Sequence, residues 1–114
     1  MDIEATVARR ISKAVGVPAY LEVPQDAPQS FVCVEQTGGY GDMLRISTVD
    51  IDCWAGRLER KQARTLADRV CAAVPDLDEE PNIFGPEVTN VYRQNDPDTG
   101  RARYVVQVQL RTCE

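Results

Sequence analysis

Apolar residues at helical spacing predict an amphipathic helix at the start of the chain. Ile3, Val7 and Ile11 recur at intervals of four, so their side chains share one helix face. Asp2 precedes this stripe as a residue that caps a helix N-terminus, and Gly16 follows it as a residue that ends a helix. The pattern therefore predicts a first helix between Asp2 and Gly16.

A second stripe predicts a helix over residues 57–74, "RLERKQARTLADRVCAAV". Small and branched apolar side chains occupy one face of it, and charged side chains occupy most of the remainder. Pro75 ends the helix, because proline cannot continue its hydrogen bonding. Residues 75–87 contain three prolines, a glycine and the acidic run "DLDEE", which is typical of a solvated loop.

The remaining apolar segments predict strands. Glycine- and aspartate-rich segments, "GGYGD" at 38–42 and "NDPDTG" at 95–100, predict hairpin turns, and hairpins give antiparallel pairing. We therefore predict a single α+β domain over residues 1–114. It has an antiparallel or mixed β-sheet of about five strands, two helices on one face, and the order α-β-β-β-α-β-β. The predicted strands are residues 17–23, 30–37, 43–55, 88–94 and 101–112. We expect the first of them at an edge of the sheet, because it contains a proline.

The strand within "LRISTVDIDCWAG" has an alternation that changes phase. The apolar residues Leu44 and Ile46 fall on even positions, whereas those within 49–53 fall on odd positions. One interpretation is a β-bulge near Ser47 or Thr48, because an extra residue shifts the two-residue period. The other is that the two halves of the strand pack against different bodies.

Composition and charge exclude several classes of site. The 114 residues carry a net charge of −5, which argues against a surface that binds phosphates through clustered Lys and Arg. No histidine is present, which excludes Ser-His and Cys-His nucleophiles. The four cysteines match no zinc-module spacing, so we expect neither a metal nor another cofactor. We expect reduced, mostly buried cysteines, no secretory signal and no membrane segment.

Two features near residue 50 are candidates for chemistry or contact. Asp50 and Asp52 share one face of a predicted strand, opposite its apolar residues. We interpret them as a solvated or interface face, with a metal or acid–base pair as the alternative. Trp54, the sole tryptophan, is expected in or at the rim of the core, with an intermolecular anchor as the alternative.

Ordered segments across almost the whole chain resemble a known family. They are "APQSFVCVEQTGG", "DIDCWAG", "QARTLADRVCAAV" and "YRQNDPDTGRARYVVQVQL". In this order they resemble the tail-terminator (tail-completion) proteins of long-tailed bacteriophages and prophages, particularly those of actinobacterial hosts. The resemblance implies an α/β fold whose sheet carries helices, and a structural protein with no catalytic residues.

The resemblance also implies partners and a location. Such a protein forms a ring with copies of itself, usually a hexamer, at the end of the tail tube. The ring contacts the major tail tube protein, stops tube growth and presents a surface to the head–tail connector protein. We expect it in the virion, in the tail or neck region, after assembly in the host cytoplasm, with DNA passing through unbound and no membrane involved.

The two predicted turns are the candidate contacts along the tube axis, with plain solvent-exposed turns as the alternative. The candidate residues are Gly38, Gly39, Tyr40, Gly41 and Asp42 in the first turn, and Asp96, Asp98 and Arg101 in the second.

Three other functions remain open from the sequence. A head-side neck or connector protein is the nearest, since such proteins share size and fold with tail terminators. A small soluble enzyme or ligand-binding domain predicts a deep pocket with converging polar groups. A DNA-binding domain predicts a basic stripe, but acids interrupt the arginines of residues 57–74.

Overall fold

The chain folds as a five-stranded mixed sheet with two α-helices, which confirms the predicted α+β class. The computed structural model describes residues 2–41 and 44–113. The helices are α1 (Ile3–Val15) and α2 (Arg60–Ala73), and a 3₁₀-helix follows α2 at Val74–Glu79. The strands are β1 (Ala19–Tyr20), β2 (Phe31–Tyr40), β3 (Leu44–Arg57), β4 (Ile83–Arg93) and β5 (Arg101–Cys113).

The ends of α1 follow the sequence signals. The Asp2 carboxylate accepts a hydrogen bond from the Ala5 N–H at 3.1 Å, which satisfies one free donor of the first turn. Gly16 takes a left-handed conformation with φ of 74°, and its N–H bonds back to the Ser12 carbonyl. Both predicted caps are therefore confirmed.

The sheet order is β1-β2-β3-β5-β4, so β1 and β4 are its edges. The two-residue β1 pairs parallel to β2 at Val32 and Cys33, and the other three pairs of strands are antiparallel. The predicted edge position of the first strand is confirmed. Beyond Cys33, β2 has no strand on its outer side among the described residues.

The core lies between the helices and one face of the sheet. On β3, Val49, Ile51 and Cys53 face this core, and on β5 the alternating residues Val106 and Val108 face it. We call the opposite side of the sheet the open face. Neither helix within the described part of the chain combines the length and hydropathy that crossing a bilayer demands.

The predicted bulge near Ser47 or Thr48 is wrong. The extra residue is Thr37 on β2, because Gln36 pairs with Val49 and the next pair is Gly38 with Thr48. On β3 the core-facing phase continues through Ser47, whose side chain is buried. The apparent phase change arises because β3 carries apolar residues on the open face at its start.

The segment predicted as a loop at 75–87 is also different. Residues 74–79 form the 3₁₀-helix, and β4 begins at Ile83 rather than at residue 88. Glu79 and Glu80 of the acidic run pair with Arg9 and Arg10 of α1, with N–O distances of 2.9 to 3.4 Å. Tertiary contacts with α1 thus order a run that its composition alone predicts to be solvated.

The two hairpin turns lie at opposite ends of the sheet. The first joins β2 to β3 after Tyr40, where Leu44 is opposite Cys113 at the end of β5. The second joins β4 to β5 before Arg101, which is opposite Arg57 at the end of β3. The molecule measures 43 × 24 × 23 Å, and the strands carry the two turns to the two ends of the sheet.

Candidate interaction surfaces

One end of the open face is covered by the chain itself. Ala27, in a covering segment formed by residues 21–29, packs against Phe31 and Trp54, whose rings stack with centroids 5.4 Å apart. Tyr20 meets Phe31 edge-on at 5.7 Å. Trp54 is 5% exposed, so its predicted place at the core is confirmed, in a small second cluster away from the helices.

Arg101 holds this covering segment in place. Its guanidinium donates hydrogen bonds to the carbonyls of Pro28 at 2.7 Å, Gln29 at 2.9 Å and Ala55 at 3.0 Å. It also lies 5.2 Å from the centroid of the Phe31 ring, within cation–π distance. The structure therefore places Arg101 in an intramolecular clamp at the base of the second turn, where the guanidinium is already bonded.

The second turn is organised by Asp96. Its carboxylate accepts hydrogen bonds from the Thr99 hydroxyl at 2.6 Å and from the N–H groups of Asp98 and Thr99. The Thr99 hydroxyl bond, with smaller contributions from the two N–H groups, lowers the pKa of Asp96. Asp96 thus forms the turn, whereas the Asp98 side chain is exposed.

The first turn differs from its prediction because β2 extends further. Gly38 and Gly39 lie within β2, opposite Thr48 and Ser47, and not in the turn. Tyr40 ends the strand with 68% of its surface exposed. Gly41 has φ of 107°, and a Cβ there would lie 2.5 Å from the Leu44 carbonyl oxygen, so the turn requires glycine. Asp42 lies outside the described residues.

Apolar side chains cross the open face at the end that carries the first turn. Tyr40 is opposite Ile46 in the β2–β3 pair, and Ile46 and Phe84 are each opposite Arg111 of β5. Residues directly opposite in a ladder point to the same side, so these four side chains form one row across four strands. Phe84 is 48% exposed, and Leu44 beside the row is 52% exposed. We call the apolar members, Tyr40, Leu44, Ile46 and Phe84, the apolar row.

The predicted pairing of Asp50 and Asp52 on one face is confirmed. Both lie on the open face, where Asp50 accepts a hydrogen bond from the Gln107 amide at 3.1 Å. Burial raises the pKa of Asp52 to about 6, with Asp50 and Glu35 adding to the rise and Arg103 opposing it. No group of three or more His, Cys, Asp or Glu residues within 2–41 and 44–113 is arranged to hold a metal ion.

Acidic residues surround an open depression at the β1–β2 side of the sheet. It has a volume of about 930 Å³, and Glu4, Glu22, Glu35 and Asp52 line it with Arg103 as the cation. The exposed apolar residues Leu21 and Val23 also line it. We call Leu21, Glu22, Val23 and Glu35, together with Glu4 and Asp52, the acidic edge.

Arginines gather at the opposite side of the sheet. Arg60 Nη1 on α2 lies 3.4 Å from Tyr104 Oη, the Arg64 guanidinium lies 5.7 Å from the Tyr104 ring centroid, and Arg93 on β4 is opposite Tyr104. The hydrogen bond from Arg60 and its charge, with a hydrogen bond from Arg64 and the charge of Arg93, lower the pKa of Tyr104.

Two valines of β4 lie on the same side of the sheet as these arginines. Val88 and Val91 are opposite the buried Val108 and Val106, so they point to the helix side, yet each is more than a third exposed. Sequence reasoning missed this surface because its residues come from two distant segments. We call Arg60, Arg64, Val88, Val91 and Arg93 the basic edge.

All four cysteines are free thiols, as expected. Cys33 and Cys53 are buried, and Cys71 and Cys113 are half-buried. Burial, with the nearby Asp52 carboxylate, raises the pKa of Cys33 to about 11, so this thiol is protonated at neutral pH.

Comparisons with models of protein families and with curated proteins gave no match for this chain.

Proposed function

We propose that this chain is a structural protein that forms a ring on the end of a bacteriophage tail tube, stops tube growth and offers a surface for joining the head. The sequence segments that resemble tail-terminator proteins motivate the proposal. The mechanism needs no chemical step: a closed ring presents one face to the tube and leaves no equivalent face for another tube subunit.

The observation that carries the proposal is the placement of the two turns at opposite ends of one sheet. If the strands run along the tube axis, one turn faces the tube and the other faces the head side. The two sides of the sheet are then left for contacts between neighbouring copies, which would cover strand edges that are a liability in a monomer. The apolar row supplies a contact surface at one axial end.

Negative charge suits a channel through which DNA passes. The chain has a net charge of −5, and acids near a central opening would repel phosphates over about 8 Å at physiological salt. The ring therefore passes DNA without binding it. A neck or connector protein on the head side is the second candidate. Such a protein also needs contact surfaces at two opposite axial ends, so the placement of the turns fits it equally well.

The test is complementation of a phage that lacks this gene. Loss of a terminator gives overlong tubes, and the intact chain restores normal length. Loss of a neck protein instead gives tails of normal length that are not attached to heads, an outcome that would replace the proposal with the second candidate.

Variants at the two ends sharpen this test. Tyr40→Ser with Phe84→Ser alters the apolar row, and Asp98→Ala alters an exposed side chain of the other turn. We expect the first to abolish one axial contact, seen as overlong tubes or unattached tails, with the isolated protein still folded. Normal tail length and normal head joining with Tyr40→Ser/Phe84→Ser would remove the apolar row from the contact surface.

A further inference from the structure

We propose that the acidic edge of one copy binds the basic edge of the next copy, head to tail. The proposal rests on the proposed function for the closure of the assembly into a ring. The two edges supply the lateral contact that such a ring needs, and the occupant of each edge is a second copy of this chain.

Position in the sheet makes the two edges compatible with head-to-tail assembly. Most of the acidic edge lies beside β1 and β2, although it reaches Asp52 on β3, and the basic edge combines β4 with the start of α2, which packs over β3 and β5. The two surfaces are therefore displaced toward opposite sides of the order β1-β2-β3-β5-β4. A contact between two different surfaces leaves one acidic edge and one basic edge unpaired at the two ends of every growing assembly. Such heterologous contacts close into rings when the rotation between copies permits.

The charges of the two edges are complementary. Four carboxylates and one arginine line the acidic depression. Three arginines surround Tyr104 on the basic edge, and Arg64 is paired with Asp68 at 3.2 Å. Within residues 2–41 and 44–113, no carboxylate lies within ion-pair distance of the other two. Opposite potentials across a contact direct which surfaces meet and disfavour acidic edge against acidic edge or basic edge against basic edge.

Both edges also expose apolar side chains that a contact between copies would bury. Leu21 and Val23 are 41% and 51% exposed within the acidic edge, and Val88 and Val91 are 36% and 37% exposed within the basic edge. Each edge therefore combines exposed apolar side chains with charges that are mainly of one sign. Interfaces between proteins commonly combine apolar and charged side chains in this way.

The backbone edges favour a contact made through side chains over a continuous ladder between copies. The Glu4 carboxylate accepts a hydrogen bond from the Gln36 N–H at 2.8 Å, so it occupies a donor on β2 beyond the end of β1. β4 contains Pro86 and two register shifts, between Phe84 and Glu87 and between Val88 and Asn90. Irregularity and proline at an edge limit strand pairing with another chain.

Two charge-reversed variants of the whole chain test the contact. The basic-edge variant is Arg60→Glu/Arg93→Glu, and the acidic-edge variant is Glu22→Lys/Glu35→Lys. Glu4 and Arg64 stay unchanged because each has a partner within the chain. Mass in solution is measured by sedimentation across a range of protein concentrations.

We expect the wild-type chain to assemble and each variant alone to do so at least tenfold more weakly. Mixing the variants in equal amounts restores assembly, because each mixed junction again joins opposite charges. The control variant Lys13→Glu/Arg45→Glu shifts the net charge as the basic-edge variant does but changes exposed side chains outside both edges and outside the apolar row, so it assembles like the wild type.

Several results would overturn the inference. They are a wild-type chain that stays monomeric at millimolar concentration, variants that assemble as well as the wild type, and a mixture that fails to recover. Loss of assembly in the basic-edge variant alone would instead indicate that β4 pairs with itself. Where a reversed variant fails to fold, Arg93→Gln and Glu35→Gln replace it, with an expected weakening of at least threefold each.

The inference and the proposed function fail separately. Rings that form through these edges but leave tail length unchanged in the complementation test would remove the proposed function alone. Normal tail termination by both charge-reversed variants would remove the proposed contact alone.

Discussion

At the scale of single residues, Asp52 shows how burial changes the effect of a carboxylate on the stability of the fold. It lies on the open face between Cys33 of β2 and Val105 of β5, with Asp50 two residues before it on the same strand. Burial is the main cause that raises its pKa from 3.8 to about 6. A carboxyl whose pKa is higher in the folded state than in the unfolded state favours folding when protonated, so ionisation of Asp52 lowers stability progressively above about pH 4 and fully above about pH 6.

Asp52→Asn is therefore expected to stabilise the protein at neutral pH. The expected gain in free energy of unfolding is about 1–2 kcal/mol at pH 7.5, after allowance for solvent screening of a half-buried group. The gain shrinks as pH falls from about 6 and is absent below about 4. Urea unfolding of both proteins across this pH range measures it, with the exposed Asp98→Asn as the control. An equal gain at pH 4 and pH 7.5 would contradict this account.

At the scale of elements, the sheet is completed by a segment without regular structure. Residues 21–29 include Pro24 and Pro28 and form no strand. Ala27 of this segment nevertheless packs against the stacked Phe31 and Trp54. Arg101 at the start of β5 holds this segment through two of its carbonyls and reaches Ala55 of β3 with a third hydrogen bond. One side chain thus links β5, β3 and the covering segment.

Arg101→Ala is expected to loosen this end of the sheet. Losing three hydrogen bonds from a charged group and the contact with Phe31 should lower the free energy of unfolding by about 2–3 kcal/mol. Because Trp54 is the sole tryptophan, its fluorescence should shift to longer wavelength as water reaches the ring.

The control for Arg101→Ala is Arg9→Ala. Arg9 is an exposed arginine whose ion pair with Glu80 should contribute less than about 1 kcal/mol. Unchanged Trp54 emission and unchanged stability in Arg101→Ala would show that the covering segment holds its place without the clamp.

At the scale of the whole molecule, the candidate contact surfaces fall into two groups, one at the ends of the strands and one toward the sides of the sheet. The turns and the apolar row lie at the two ends of the strands, and the acidic and basic edges lie toward the two sides of the sheet. This division is what the proposed ring requires, with axial contacts at the ends and contacts between copies at the sides.

Self-association through the proposed edges is expected to depend on ionic strength. Raising NaCl from 50 to 500 mM should weaken it by roughly tenfold, because salt screens opposite charges at a surface. Sedimentation at matched protein concentrations measures the change. The Arg93→Gln variant should show a shallower dependence on salt, and association that strengthens with NaCl would indicate an interface dominated by apolar burial instead.

The sequence determined the class of fold, the caps of α1, the strand that carries Asp50 and Asp52, and the place of Trp54, because these follow from local periodicity and from nearest neighbours in the chain. Tertiary structure decided what the sequence could not. The bulge lies at Thr37 because register depends on the partner strand, and Arg101 is a clamp because its acceptors are carbonyls far away in the chain. The two charged edges also exist only after folding, since each combines residues from segments that the sequence keeps apart, such as Arg60 with Arg93 and Glu4 with Glu35.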